Sequence, residues 1–261
     1  MWRDYFETEY CFFNQALIFK VKYIDGLTAF TLPLGEDRIG CLMEIDKYCK
    51  TVGIPTAFCT ATEEDIEVYK QAFASIQLSL DEDWNDYLYR AEDLITLSGR
   101  KYNGQRNHIN FFKREYANYR FEEIDDRALP ELRAFHQRIS FAVDKHTNAF
   151  YEERNKTIEL LDNYEKYGLM GGLIRVEGIV VAFAIGEIIK DTLFVHVEKA
   201  DNNYRGAYQM IVNLFPQNYA SEGVMYINRE EDLGDEGLRI AKKAYHPIEV
   251  IKKYSVIATV V

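Results

Sequence analysis

The sequence predicts an α+β protein of two lobes, each a mixed, mostly antiparallel sheet flanked by helices. Two observations carry this. From Gly171 onward, three alternating apolar segments separated by turns are followed by a helix, a strand, a helix and a strand. The first ninety residues open with a hairpin and continue through βα elements in a related order. No stretch of one half repeats in the other, so the halves share an order of elements and not a residue pattern.

In the first half, Ala16–Tyr23 alternates as a strand, Asp25-Gly26 makes a hairpin turn and Thr28–Leu32 returns as the partner. Asp37–Lys50 places Ile39, Leu42, Met43 and Ile45 at helical spacing, and Gly53-Ile54-Pro55 stops it before a short strand at Thr56–Thr60. Thr62-Glu63-Glu64-Asp65 starts the next helix, since a hydroxyl can take a free N–H and acids suit the positive end of the helix dipole; it runs to about Phe73. Trp84–Tyr89 reads as an aromatic strand and Glu92–Leu97 as a brief helix. Asn103–Tyr119 is a helix carrying Ile109, Phe112 and Tyr116, and Arg120–Ile124 is extended.

In the second half, helices are predicted at Pro130–Val143 and Phe150–Tyr167. Gly171–Val176, Ile179–Ile189 and Thr192–Glu198 form a meander, turning at Glu177-Gly178 and Lys190-Asp191. Gly206–Phe215 is a helix that Pro216 ends or kinks. Val224–Ile227 is a strand, Glu236–Ala244 a helix, and Pro247–Val256 the start of a closing strand.

At 261 residues, 48% of them hydrophobic and only five Pro, the chain can bury one large core or two small ones and is not a disordered segment. A formal charge of −11 argues against a DNA-coating protein, because that affinity comes from neutralising phosphates. No apolar run reaches the roughly 18 residues of a membrane-spanning helix. Arg3, Asp4, Glu7 and Glu9 interrupt any leader-like apolar start. Cys11, Cys41, Cys49 and Cys59 form neither a CxxC pair nor a metal-spaced cluster, so buried reduced thiols in a cytoplasmic protein without a metal are expected.

Against this acidic background, Arg100, Lys101, Arg106, Lys113, Arg114 and Arg120 form a local basic segment with Glu115 as its one acid. Its partner is a phosphate, a carboxylate or an RNA backbone, or else it is a solvated helix face. Asn107, His108 and Asn110 within it can orient a ligand or serve as caps and turns. His196 and Glu198 share a parity on a predicted strand and are expected on one face, where a neutral imidazole beside a carboxylate can accept a proton. Asn228, Arg229, Glu230 and Glu231 follow a predicted buried strand and form either an electrostatic clamp or a capping loop. Lys242 either meets a ligand phosphate or complements the end of its own helix, and Tyr245 is either a packed aromatic or an acid.

From about Asp86 to the end, the chain resembles the phosphatidylglycerol lysyltransferase C-terminal-domain family, tandem GNAT-like proteins related in fold to Fem-type aminoacyl transferases. The resemblance rests on Tyr87-Leu88-Tyr89 with Glu92-Asp93-Leu94, Gly99-Arg100-Lys101-Tyr102 with Arg106-Asn107-His108-Ile109-Asn110, and His196-Val197-Glu198-Lys199-Ala200. It continues through Gly206-Ala207-Tyr208, Ile227-Asn228-Arg229-Glu230-Glu231-Asp232-Leu233-Gly234, Leu238-Arg239, Lys242 and Tyr245-His246-Pro247. It implies an N-terminal GNAT-like lobe over 1–98, a basic connecting helix and strand over 99–125, and a C-terminal GNAT-like lobe over 126–261. Relatives resembling this chain carry a further segment before Trp2-Arg3-Asp4-Tyr5, so the first lobe is expected to be incomplete and structural.

The resemblance further implies an acyltransferase moving an aminoacyl or acyl group to an amine or hydroxyl on a small molecule, lipid or peptide. The donor is either an aminoacyl-tRNA or an acyl-CoA, with no tightly bound cofactor, and the alternative is a non-catalytic module binding an anionic ligand or RNA. Backbone N–H groups at Arg205, Gly206 and Ala207 would hold the donor. Glu198 or His196 would be the base, Tyr245 the acid, and Arg100, Lys101 and Arg106 phosphate anchors. One departure bears on the donor. In the pyrophosphate loop of acetyl-CoA enzymes, a long basic or amide residue stands where this chain has Asn203, and a small residue where it has Tyr208, whose ring would crowd a phosphate.

Overall fold

A computed structural model describes residues 3–23, 26–141, 148–220 and 222–259. By contact the chain forms two units that are not sequential. The N-terminal unit takes residues up to 85, 231–235 and those from 251 onward; the C-terminal unit takes 86–230 and 236–250.

The N-terminal unit holds strands β1 (Glu9–Phe13), β2 (Ala16–Lys22) and β3 (Thr28–Phe30), helix α1 (Arg38–Val52), strand β4 (Ala57–Ala61), helix α2 (Glu63–Ala72), strand β5 (Ser75–Leu80) and the chain's last strand, β13 (Tyr254–Thr259). The sheet order is β1-β2-β3-β4-β13-β5. The expected β2–β3 hairpin forms, with Lys20 opposite Phe30; its turn residue Asp25 lies outside the described residues. Asp37 caps α1 through the Gly40 N–H, and Thr62 with Asp65 makes a reciprocal capping box on α2. The buried face of α1 is Cys41, Leu42, Ile45 and Cys49, whereas Ile39 and Met43 are exposed. The apolar spacing misplaced this face because cysteine packs as a small hydrophobe. Cys11, expected to be buried, is exposed on the edge strand β1.

The C-terminal unit holds β6 (Asp86–Arg90), α3 (Ala91–Thr96), α4 (Asn103–Glu115), β7 (Arg120–Glu123), α5 (Leu129–Phe141), α6 (Asn148–Asp162), β8 (Met170–Val176), β9 (Ile179–Ile189), β10 (Thr192–Ala200), α7 (Ala207–Tyr219), β11 (Tyr226–Asn228), α8 (Glu236–Lys243) and β12 (Glu249–Ile251). The sheet order is β12-β6-β11-β10-β9-β8-β7. On one face, Leu94, Phe112, Met210 and Phe215 from α3, α4 and α7 pack on Ile174 and Leu193. On the other, Leu132, Phe135 and Leu161 from α5 and α6 pack on Phe183 and Ile185.

Three expectations change here. The single closing strand over Pro247–Val256 is two strands: β12 joins this sheet, and β13 inserts antiparallel between β4 and β5 of the other. A lobe boundary at residue 98 is displaced because β6 pairs antiparallel with β11, with Leu88 opposite Asn228. Pro216 lies inside α7, which continues to Tyr219. Of the helix expected over Pro130–Val143, Val143 lies outside the described residues. Among the described residues no helix is long and apolar enough to cross a membrane.

Candidate functional site

The site is set by two parallel strands that part company. β10 pairs with β11 only from Thr192 to Phe194, opposite Tyr226 to Asn228, yet β10 runs on to Ala200. Beyond that point side chains, not a backbone ladder, join the β10 chain to the segment after β11. A bulge falls between Val195 and Val197, where two steps on β10 match one on β9. Leu193 and Val195 therefore pack with α7, and Val197 packs on the opposite face with α5 and α6.

The bulge undoes the shared parity expected of His196 and Glu198. His196 sits between two carboxylates, Nδ1 at 2.7 Å from Glu230 and Nε2 at 3.1 Å from Glu187. Burial opposes charge on the ring, but the hydrogen bonds and negative charges of Glu230 and Glu187 outweigh it and hold its pKa above the ordinary histidine value. The neutral imidazole expected here is thus biased toward imidazolium.

Glu198 instead accepts from Arg229, Nε at 3.0 Å and Nη2 at 2.5 Å, both on Oε2. The Arg229 side chain is 1% exposed and Glu198 10%. Nη2 also donates to the Tyr208 hydroxyl at 2.7 Å. Around the guanidinium stand the rings of Tyr89, Tyr208 and Tyr245, at 5.6, 5.9 and 5.0 Å from Cζ. Burial works against the Arg229 charge, but Glu198 and the electron-rich rings more than compensate, so it stays a cation. Two polar atoms in this cage have no hydrogen-bond partner among the described residues: Arg229 Nη1 and the Tyr245 hydroxyl. Burial raises the Tyr245 phenol well above its ordinary pKa and pushes Tyr208 up to about 12, so both stay protonated at neutral pH.

The neighbouring residues hold this group in place. Buried Lys242 donates Nζ to the carbonyls of Arg229 at 2.5 Å and Glu230 at 3.1 Å, so it fastens a loop and is not turned toward a phosphate. The Tyr89 hydroxyl donates to the Lys242 carbonyl at 2.9 Å, and the Tyr102 hydroxyl to the Tyr245 carbonyl at 3.1 Å. Asn228 accepts from the Glu230 N–H at 2.7 Å and donates to Asp86 at 3.2 Å. Glu231 falls in the N-terminal unit.

The donor loop that the resemblance implied is arranged differently from expectation. Gly206 has φ +92°, and a Cβ there would stand 2.5 Å from the His108 carbonyl oxygen and 3.0 Å from Phe112 Cβ. The space left by the missing side chain is filled by α4. The Ala207 N–H donates to the Tyr204 carbonyl at 2.9 Å and is not free for a ligand. Arg205 is exposed, its Cζ 4.5 Å from the Phe111 ring.

The basic segment divides in two. Arg106 turns inward, donating to the Gly99 carbonyl at 2.8 Å, to the Leu97 carbonyl and to Asn103, so it closes the connection between α3 and α4 instead of awaiting a phosphate. Lys101 pairs with Asp93 at 3.4 Å, and Arg100 is exposed. Asn107, Asn110, Phe111 and Arg114 share one face of α4 by their spacing, and Arg114 lies 5.6 Å from the same Phe111 ring that Arg205 approaches. His108 instead lines a cavity of about 200 Å³ with Gln105, Tyr208, Gln209, Ala241 and Tyr245.

Tyr89 stood in the sequence as part of a family motif but was given no site role, because an aromatic at strand spacing reads as core. His136 was also missed: it is fully buried, with Nδ1 unpartnered and a pKa lowered by burial and by Lys199. Among the described residues no three His, Cys, Asp or Glu side chains gather as a metal site. The cage thus keeps two groups able to donate a hydrogen bond, one of them on a cation that Glu198 already neutralises.

The family described as "Phosphatidylglycerol lysyltransferase, C-terminal" matches residues 1–257. A conserved protein of unknown function from Bacteroides thetaiotaomicron is similar at 32% identity and TM-score 0.89, over 99% of this chain and 88% of that one. The C-terminal domain of a putative lysylphosphatidylglycerol synthetase from Agrobacterium fabrum shares the fold at 14% identity and TM-score 0.65, over 97% of this chain and 84% of that one. An uncharacterized protein of Mycoplasmoides gallisepticum is 23% identical over 177 residues, 66% of this chain. The chain spans only 55% of that curated relative's length.

Proposed function

The chain belongs to the phosphatidylglycerol lysyltransferase C-terminal family and has its tandem GNAT-like fold, and from that membership we propose that it transfers an aminoacyl group from a charged tRNA to an amine or hydroxyl acceptor in the cytoplasm. The observation that carries the choice of donor is the α4 main chain against Gly206. A CoA pyrophosphate needs the open glycine and the free N–H groups at the start of α7, and there α4 takes the space. A tRNA needs none of that space. Its phosphates and bases suit the outer face of α4, where Arg114 and Arg205 flank Phe111 beside Asn107 and Asn110.

A second reading, a non-catalytic module that binds RNA, is favoured by the commitment of Glu198 to Arg229, which occupies the base expected from the sequence.

Binding titrations separate these donors. Charged tRNA is expected to bind with an affinity that falls steeply with salt, while calorimetry with acetyl-CoA shows no saturable heat. Arg114→Ala and Arg205→Ala should each reduce the slope of log affinity against log salt by about one. Arg106→Ala should leave the slope unchanged. Saturable acetyl-CoA binding would overturn the choice of donor, and tRNA binding without transfer to any acceptor would favour the second reading.

A further inference from the structure

We infer that Arg229 Nη1 and the Tyr245 hydroxyl are the oxyanion-stabilising pair of this transferase, receiving the carbonyl oxygen of a carboxylic ester donor; the assignment rests on the aminoacyl-transfer reading above. Folded proteins pair almost all their buried polar groups, and an unpaired one costs about 1–3 kcal/mol. Here two unpaired groups occur in one cage, on a guanidinium and on a phenol whose ring lies 5.0 Å from its Cζ. The guanidinium can only donate and the phenol can donate, so one acceptor would serve both.

Charge specifies the kind of acceptor. Glu198 already balances Arg229. A ligand that is already anionic in its ground state would take its full stabilisation on binding and leave none for the chemical step. A neutral carbonyl oxygen adds no charge when it binds and gains it only as the tetrahedral intermediate forms. The donors then strengthen where the transition state needs them. The phenol is kept protonated by its burial, so it remains a donor at neutral pH.

The cage is also preorganised and has adjoining space. Lys242 holds the Arg229 carbonyl and the Tyr102 hydroxyl holds the Tyr245 carbonyl. Tyr208 and Tyr245, two rings of the cage, are also walls of the cavity of about 200 Å³ between α4, α7 and α8. That volume equals about six or seven waters, which suits the acyl end of a small ester. In the reaction, the acceptor's nitrogen or oxygen attacks the ester carbon and the carbonyl π pair moves onto the oxygen between Nη1 and the phenol. As the pair returns, the carbon–oxygen bond to the ribose breaks. The proton lost by the acceptor ends on the departing ribose hydroxyl.

Calorimetry with two adenosine analogues tests this. One carries an aminoacyl group at the 3′ position through an amide, which is planar like the ester. The other has a phosphonate in place of the carbonyl, with a tetrahedral anionic oxygen where the oxyanion would form. A lysyl, an alanyl and a phenylalanyl version cover cationic, small and aromatic side chains. The wild-type protein is expected to bind the phosphonate at least about tenfold more tightly than the amide. Tyr245→Phe should weaken phosphonate binding by about 10- to 100-fold while changing amide binding by less than about threefold. It should not lower the unfolding midpoint, since the hydroxyl removed has no hydrogen-bond partner among the described residues. If the wild type binds the amide but Tyr245→Phe shifts both analogues alike or neither, the oxyanion assignment is overturned and the donor reading stands. If no analogue binds the wild type, the donor reading falls and the assignment falls with it.

Discussion

Arg229 is a full positive charge in a place almost without water, and it can stay there because Glu198 and three tyrosine rings surround it. Glu198→Gln removes the compensating charge and leaves the guanidinium buried alone. Urea unfolding is expected to show a loss of about 3–5 kcal/mol; a loss below about 1 kcal/mol would mean that water reaches the pair. The buried His136 and the half-buried His196 should act on stability in opposite directions with pH. His196 has a raised pKa in the folded state, so its contribution is complete below the ordinary value of 6.5 and fades as pH rises through the folded pKa. His136 has a lowered one, so its contribution is present above 6.5 and is lost as pH falls. Unfolding midpoints measured from pH 5 to 8 should therefore drop more steeply on acidification in His196→Gln than in the wild type. At this scale the sequence marked Arg229, Glu198, His196 and Lys242, because charge and imidazole beside predicted strands are conspicuous. It gave Tyr89 no site role, since an aromatic on a strand looks like core whether or not it faces a cation.

The helices and the β8–β9–β10 meander were legible from periodicity, turns and caps, which act within a few residues. The edge strands β1 and β5 were not, because every residue of β1 is exposed and all but one of β5, leaving no buried alternation to read. The bulge at His196 was equally hidden: a single extra residue in one strand is defined against its partner and reverses which side chains share a face. Gly206 was visible as a glycine before a helix, but its use was not. Its positive φ and the approach of α4 together predict that Gly206→Ala destabilises the protein by about 3 kcal/mol. Hydrogen exchange should show the first turn of α7 and the facing part of α4 losing protection together. Unchanged protection there would mean that α4 does not close on the loop.

Across the whole chain, the last strand belongs to the sheet that begins the sequence, with β13 between β4 and β5 and antiparallel to both. Removing residues 252–261 takes the central partner from two strands. Hydrogen exchange on the truncated protein is expected to show amides of β4 and β5 unprotected while those of β8, β9 and β10 stay protected. Loss of protection in both sets would mean that the two units unfold as one. The sequence by itself determined the α+β class, most helices and turns, the family and the stretch of charged residues around Asn228–Glu231, because local spacing and residue type decide these. Only the tertiary structure decided that Arg106 and Lys242 are spent on carbonyls, that α4 covers Gly206, that His196 and Glu198 have separate partners and that β13 crosses to the first sheet. Each of those depends on what a residue meets from far along the chain, and a buried charge or hydrogen-bonding group takes its role from that partner.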